Sequence, residues 1–146
     1  MSTSTFANSN TTPSTLPDAV TAVAPTVGRA LISVLFILSG LSKLAAPAAT
    51  IGYIQSVGLP FPSIGFGLAA FVELVGGITL LLGYRTRIVA TVLFVFVLAT
   101  AVFFHRNFAD VNQFIHFFKN VAIAGGLLNV VAFGGGRLSL DGRHSR

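Results

Sequence analysis

Four apolar stretches divide this chain: Val27–Ala46, Ser63–Leu82, Ile88–Phe104 and Phe114–Phe133. Each is near the roughly 20 residues that an α-helix needs to cross a hydrocarbon core about 30 Å thick. In lipid, every backbone N–H and C=O must find its partner within the protein, so segments of this length cross as helices. The third stretch is the clearest, because 12 of its 17 residues are Ile, Val, Leu or Phe and none is charged. At about 0.3–0.6 kcal/mol each near the helix centre, these residues favour insertion by several kcal/mol. The second and fourth stretches carry Glu73 and Lys119, and a central ionised residue costs about 2.5–3.5 kcal/mol on the same scale. Those two helices need neighbours. The expected fold is therefore all-α, a four-helix transmembrane bundle.

Composition agrees, since only 9% of the 146 residues are charged and 53% are hydrophobic, whereas a soluble domain carries about 25% charged residues. Much of the exterior must face the lipid bilayer. The net charge of +5 comes from nine Lys and Arg scattered among apolar stretches. They make no dense basic patch interleaved with aromatics, which argues against nucleic-acid binding. With no cysteine, disulfides, thiol nucleophiles, Cys-ligated zinc and Cys-ligated iron–sulfur clusters are excluded. The basic residues act instead as topology signals. Arg29, Arg85, Arg87, Arg137, Arg143 and Arg146 fall on one side of the bundle, Lys43 and Arg106 on the other. That asymmetry predicts an N-in/C-in arrangement with the first and third loops outside, which in the inner (plasma) membrane of a bacterium would be the periplasm.

Residues 1–26 are rich in Ser, Thr, Asn and Pro and follow no apolar period, the pattern of a disordered cytoplasmic tail. Arg29 follows the weakly apolar stretch Ala19–Val27 rather than preceding it, so the tail does not read as a cleaved secretory signal. Residues 27–136 form the expected membrane domain and 137–146 a short basic cytoplasmic tail. Pro47, Gly58, Pro60, Pro62, Gly83 and Gly134-Gly135-Gly136 mark the joints. The connection Gly83–Arg87 is so short that the second and third helices must be an antiparallel hairpin. In the longer first loop, Ile51-Gly52-Tyr53-Ile54 is apolar enough to lie along the membrane surface.

Polar residues inside these spans are the candidate functional groups. Arg29, Ser33, Phe36, Gly40 and Lys43 share one stripe of the first helix, readable as a packing seam with snorkelling ends or as part of a site. Glu73 is too deep to snorkel and needs a partner or a proton. Gly76 and Gly77 on its face let a neighbouring helix come close. His116, Lys119 and Asn120 share a face of the fourth helix, and Lys119 is a candidate partner for Glu73. His105 closes the third helix at the same level as Lys43. Topology alone thus gathers Lys43, Glu73, His105, His116, Lys119 and Asn120 toward one outward pocket. The alternative is a set of ion pairs and anchors that only hold the bundle. No pair of these residues has the i, i+4 ligand spacing of a helical metal site, so no metal is expected. Some of the many phenylalanines are candidates to line a quinone slot.

Gly28-Arg29, Ser39-Gly40-Leu41-Ser42-Lys43-Leu44, Glu73 with Gly76-Gly77, Leu80-Leu81-Leu82-Gly83, and Lys119-Asn120 with Gly125-Gly126 occur in that order. In this the chain resembles the DoxX family of small four-helix bacterial membrane proteins over roughly residues 27–140. The resemblance implies shared polar positions at Arg29, Lys43, Glu73, Lys119 and Asn120. It also implies a link to redox systems, through likeness to a membrane subunit of a thiosulfate:quinone oxidoreductase and to membrane partners of soluble redox-defence enzymes.

Two classes of function follow as expectations. In one, the protein is a membrane subunit of a redox system whose pocket binds a quinone or small anion, with Arg29, Lys43, Glu73, His105, His116, Lys119 and Asn120 as ligand-binding or proton-relay residues. The chain has no built-in cofactor in that reading, so a protein partner supplies the electrons. In the other, the bundle is a non-catalytic anchor or scaffold for a soluble redox or stress-defence enzyme. A small-solute transporter is a third reading, in which the chain would homo-oligomerise to enclose a path.

Overall fold

The computed structural model describes residues 18–144, all-helical apart from loops. Six helices follow in order: α1 Asp18–Ala45, α2 Pro47–Ser56, α3 Pro62–Leu82, α4 Thr86–Phe104, α5 Val111–Phe133 and the short α6 Leu140–His144. Four of them are long and apolar enough to cross a membrane: Ala22–Ala45 within α1, Pro62–Leu82, Thr86–Phe104 and Val111–Phe133. The four-helix transmembrane bundle read from the apolar stretches is therefore the fold. Leu31, Leu38, Leu68, Phe71, Val95 and Phe103 are among many large apolar side chains left exposed, as a lipid-facing exterior requires.

The chain departs from the sequence reading in three places. α1 begins at Asp18 rather than Val27 and carries Pro25 inside it; of the tail expected over residues 1–26, residues 1–17 lie outside the described residues. The first loop holds a helix, α2, with Pro47 in its first turn and Ile54 buried. The basic tail folds back: α6 and the turn before it pack at the α3–α4 corner, where Asp141 N–H donates to Gly83 O at 3.0 Å. Arg146 and Ser145 lie outside the described residues.

Local chemistry sets the helix ends. Pro62 opens α3, where its missing N–H is no loss. α3 ends in a Schellman motif, with Tyr84 N–H on Thr79 O and Gly83 N–H on Leu80 O, both at 3.1 Å. Gly83 there takes φ +71°, a conformation open to glycine at no steric cost. Asp110 caps α5, accepting from Asn112 N–H at 2.8 Å.

α1 packs chiefly on α3 and α4 on α5, while α3 against α4 joins the two antiparallel pairs and α2 lies on α3. The core between them is narrow: Phe36, Leu80, Ala90, Leu93, Val97, Ala124, Leu127 and Val130. Glycines make it narrow. A side chain at Gly77 would come within 3.1 Å of the Ser33 carbonyl of α1, and one at Gly76 within 2.8 Å of Leu93 Cδ2 of α4. Neighbouring glycines on α3 thus serve two different seams.

Candidate functional site

The α1–α3 seam brings the intramembrane carboxylate to its partner. Gly40 on α1 lies so close to α3 that a Cβ there would stand 3.3 Å from Glu73 Cβ. One turn further along α1, Lys43 Nζ donates to Glu73 Oε1 at 2.9 Å and stands 2.8 Å from Oε2. Ser39 Oγ donates to the same Oε1 at 3.1 Å and accepts from Lys43 Nζ at 2.9 Å. Ser39, Lys43 and Glu73 close a triangle of charge-assisted bonds. Glu73 is only 5% exposed, whereas Lys43 is part-exposed, so water or a ligand reaches the pair from the lysine side. Lys119, expected as the partner of Glu73, is elsewhere. It stands on α5, which packs on α4 rather than α3, and its ammonium lies 2.9 Å from His116 Nδ1.

Beside the triangle lies a cavity of about 740 Å³. Lys43, Glu73, His105, Lys119 and Asn120 line it together with Ser39, Tyr53 and Thr100 and a larger apolar wall that includes Leu35, Leu68, Phe96, Phe103 and Phe104. Leu68 and Phe103 are also exposed on the outside of the bundle. The cavity therefore opens sideways, at the level of the lipid. α2 stands at its edge, where the Tyr53 ring packs tilted against Phe104 with centroids 5.4 Å apart and donates its hydroxyl to Phe104 O at 3.1 Å.

The α4 and α5 ends build the facing wall. The His105 and His116 rings stack with centroids 5.2 Å apart, and Asn120 Nδ2 donates to Thr100 Oγ1 at 3.5 Å. Burial, followed by the neighbouring His116 and Lys119, holds the His105 imidazole below its usual value. His105 is thus neutral at neutral pH, with one ring nitrogen as donor and one as acceptor. Among the described residues, no group of three or more His, Asp or Glu gathers as a metal site.

Two predicted residues do not line the cavity: His116 is exposed and reaches it only through its contacts with His105 and Lys119, and Arg29 stands apart altogether. It lies about 21 Å of helix rise from Lys43, buried at the opposite end of the bundle. Its guanidinium donates to the carbonyls of Gly135, of Leu138 at 3.2 Å and of Leu81 at 3.4 Å. It thereby ties the end of α3 to the segment after α5. Beside it, Asp141 accepts from Arg85 N–H at 2.8 Å, Thr86 N–H at 2.7 Å and Thr86 Oγ1 at 2.6 Å. Burial pushes the Asp141 carboxyl up, but these three bonds and the Arg29 charge outweigh it and hold the group below its ordinary value.

Sequence reasoning missed Ser39, Tyr53 and Thr100 in the cavity and Asp141 at the other end. Ser39 had a signal, its place four residues before Lys43 on the same helix face. The uncharged Tyr53 and Thr100 had none.

Comparison with known proteins agrees with this architecture. The family model described as DoxX matches residues 24–106, from the first turns of α1 past His105. The chain is 38% identical over 117 residues to the inner membrane protein YqjF of Escherichia coli (strain K12), covering 79% of this chain and 87% of that one. It is 33% identical over 122 residues to the inner membrane protein YphA of the same organism, covering 80% and 87%. No solved structure matches the chain significantly. With the match running through the helices that carry Lys43, Glu73 and His105, the chain belongs to the DoxX family and is a multi-pass protein of the bacterial inner membrane.

Proposed function

We propose that the cavity beside Lys43 and Glu73 binds the head group of a membrane quinone, and that the protein serves a redox system as its membrane subunit. The observation that carries this reading is the combination of an apolar wall open to the lipid with polar groups at one side. A quinone ring is flat and apolar, with two carbonyl acceptors and a tail that stays in the bilayer. Lys119, Asn120 and His105 supply donors on the α4–α5 wall and Lys43 on the other. At about 740 Å³ the cavity falls in the range of small-molecule sites. A small anion fits less well, because Glu73 already neutralises Lys43 and most of the lining is apolar.

Glu73 gives the site a place for a proton. Its carboxylate, held by Lys43 and Ser39 at the edge of the cavity, is the proton acceptor of the proposed relay. The electrons come from a protein partner. The six-to-two division of basic residues supports a cavity facing the periplasm and both ends of the chain in the cytoplasm.

The test uses the protein in lipid nanodiscs with a labelled quinone. Asn120→Leu removes a donor and nearly keeps volume; His105→Gln keeps a polar end. Both should elute as the parent does while quinone binding falls about five-fold or more, the effect of losing a polar contact worth about 1–3 kcal/mol. A parent that binds no quinone, or variants that bind as well as the parent, would leave the bundle as a scaffold for a soluble enzyme.

A further inference from the structure

The opposite end of the bundle holds a second cavity, of about 890 Å³, between the start of α4 and the segment that follows α5. Arg85, Arg87 and Arg137 line it, and all three are exposed. Among the described residues, no carboxylate lies within ion-pair distance of any of them. The carboxylate that lines the same cavity, Asp141, is already turned to the N–H groups of Arg85 and Thr86 and to the Thr86 hydroxyl. The cavity therefore carries an excess of positive charge.

Two large apolar side chains, Ile88 and Phe133, line it as well. Ile88, at the start of α4, is 59% exposed, and Phe133, the last residue of α5, is 79% exposed. Both stand at the ends of membrane-crossing helices, where the outer surface meets acyl chains. Beyond Phe133 the chain turns at Gly134, where a Cβ would stand 3.6 Å from Arg87 Nε. The bare backbone thus leaves the guanidinium accessible at that corner. A soluble phosphate ion would use the cations and leave the apolar side chains unmatched, whereas a phospholipid uses both.

We propose that this crevice binds an anionic phospholipid, with the headgroup phosphate held by Arg85, Arg87 and Arg137 and an acyl chain laid against Ile88 and Phe133. Guanidinium forks suit phosphate oxygens, which take two parallel N–H bonds from one arginine. The interfacial position adds the attraction of an anionic leaflet for each basic group. This site is separate from the quinone reading, since no residue lines both cavities.

The experiment offers the full chain, in mild detergent, an equimolar mixture of phosphatidylglycerol and phosphatidylcholine with matched acyl chains. Bound lipids are counted by native mass spectrometry. The parent should retain phosphatidylglycerol in about ten-fold preference. The double variant Arg87→Gln/Arg137→Gln should fall to near parity, while Arg106→Gln, on the other loop end, keeps the parental preference. Equal retention of the two lipids by the parent overturns the proposal without need of any variant, and so does a folded double variant that keeps the preference. Displacement of phosphatidylglycerol by millimolar inorganic phosphate also overturns it, since the cations would then be acting as a soluble-anion site.

Discussion

Lys43 and Glu73 meet across the α1–α3 seam at 2.8 Å because Gly40, less than one turn before Lys43, lets the two helix backbones approach. The bond couples the end of α1 to the middle of α3.

That coupling predicts a specific pattern of stabilities. Glu73→Gln and Lys43→Met should each lower the melting temperature in detergent, and the double variant should lose less than the sum, with a coupling of about 0.5–3 kcal/mol. Glu73→Gln combined with Lys119→Met should instead add to within about 0.5 kcal/mol. Additivity in the first cycle and coupling in the second would reverse the assignment.

Asp141 predicts an acid-sensitive joint. Its carboxyl is held below the ordinary value of 3.8 in the folded protein, so its contribution is complete above that value and fades as pH falls through the lower folded one. Asp141→Ala removes the bonds to Arg85 and Thr86 and should cost about 0.5–2 kcal/mol, as loss of a helix cap does. Thermal scans of Asp141→Asn and parent should converge at acid pH and separate above it. Parallel curves would show that the carboxylate does not act there.

Two glycines should differ sharply. A methyl group at Gly77 would meet Ile37 Cγ1 at 2.9 Å and two backbone atoms of α1 at 3.1 and 3.2 Å, so Gly77→Ala should cost about 1–3 kcal/mol. Gly125 has nothing within 4 Å, and Gly125→Ala should stay within about 0.5 kcal/mol of the parent. Thermal unfolding in one detergent reads both, and equal effects would contradict the close α1–α3 seam.

Orientation has a direct reading in a cysteine-free chain. Single cysteines at the exposed positions Tyr84 and Asn107, which flank α4, should be labelled by a membrane-impermeant reagent from opposite sides. Asn107 should react from the periplasm; labelling there only from the cytoplasm would invert the proposed topology.

The sequence shows how many helices cross the bilayer, because the cost of charge and the length of an apolar run are local properties. It also shows which polar groups share a membrane level, since Lys43, Glu73, His105, Lys119 and Asn120 do line one cavity. Pairing was not legible, because Glu73 has cations within topological reach on two helices and the choice depends on how α1 and α3 are rotated about Gly40 and Gly77. The sequence groups Arg29 with the other intramembrane cations, but its guanidinium serves carbonyls at the far end. The folded segment after α5 was hidden for a related reason. Ser139 and Asp141 look like polar tail residues until α4 supplies open N–H groups for Asp141 to cap.

The capping of α4 by Asp141 also orders events in time. Membrane helices enter the bilayer as they are synthesised, and α4 precedes its own cap by the whole of α5. Until the segment beyond α5 has left the ribosome, the first amides of α4 have no carboxylate and Arg29 lacks the Gly135 and Leu138 carbonyls. Assembly at this end is therefore a late event. A ribosome stalled within α5 would hold four inserted or inserting helices whose corner had not yet locked.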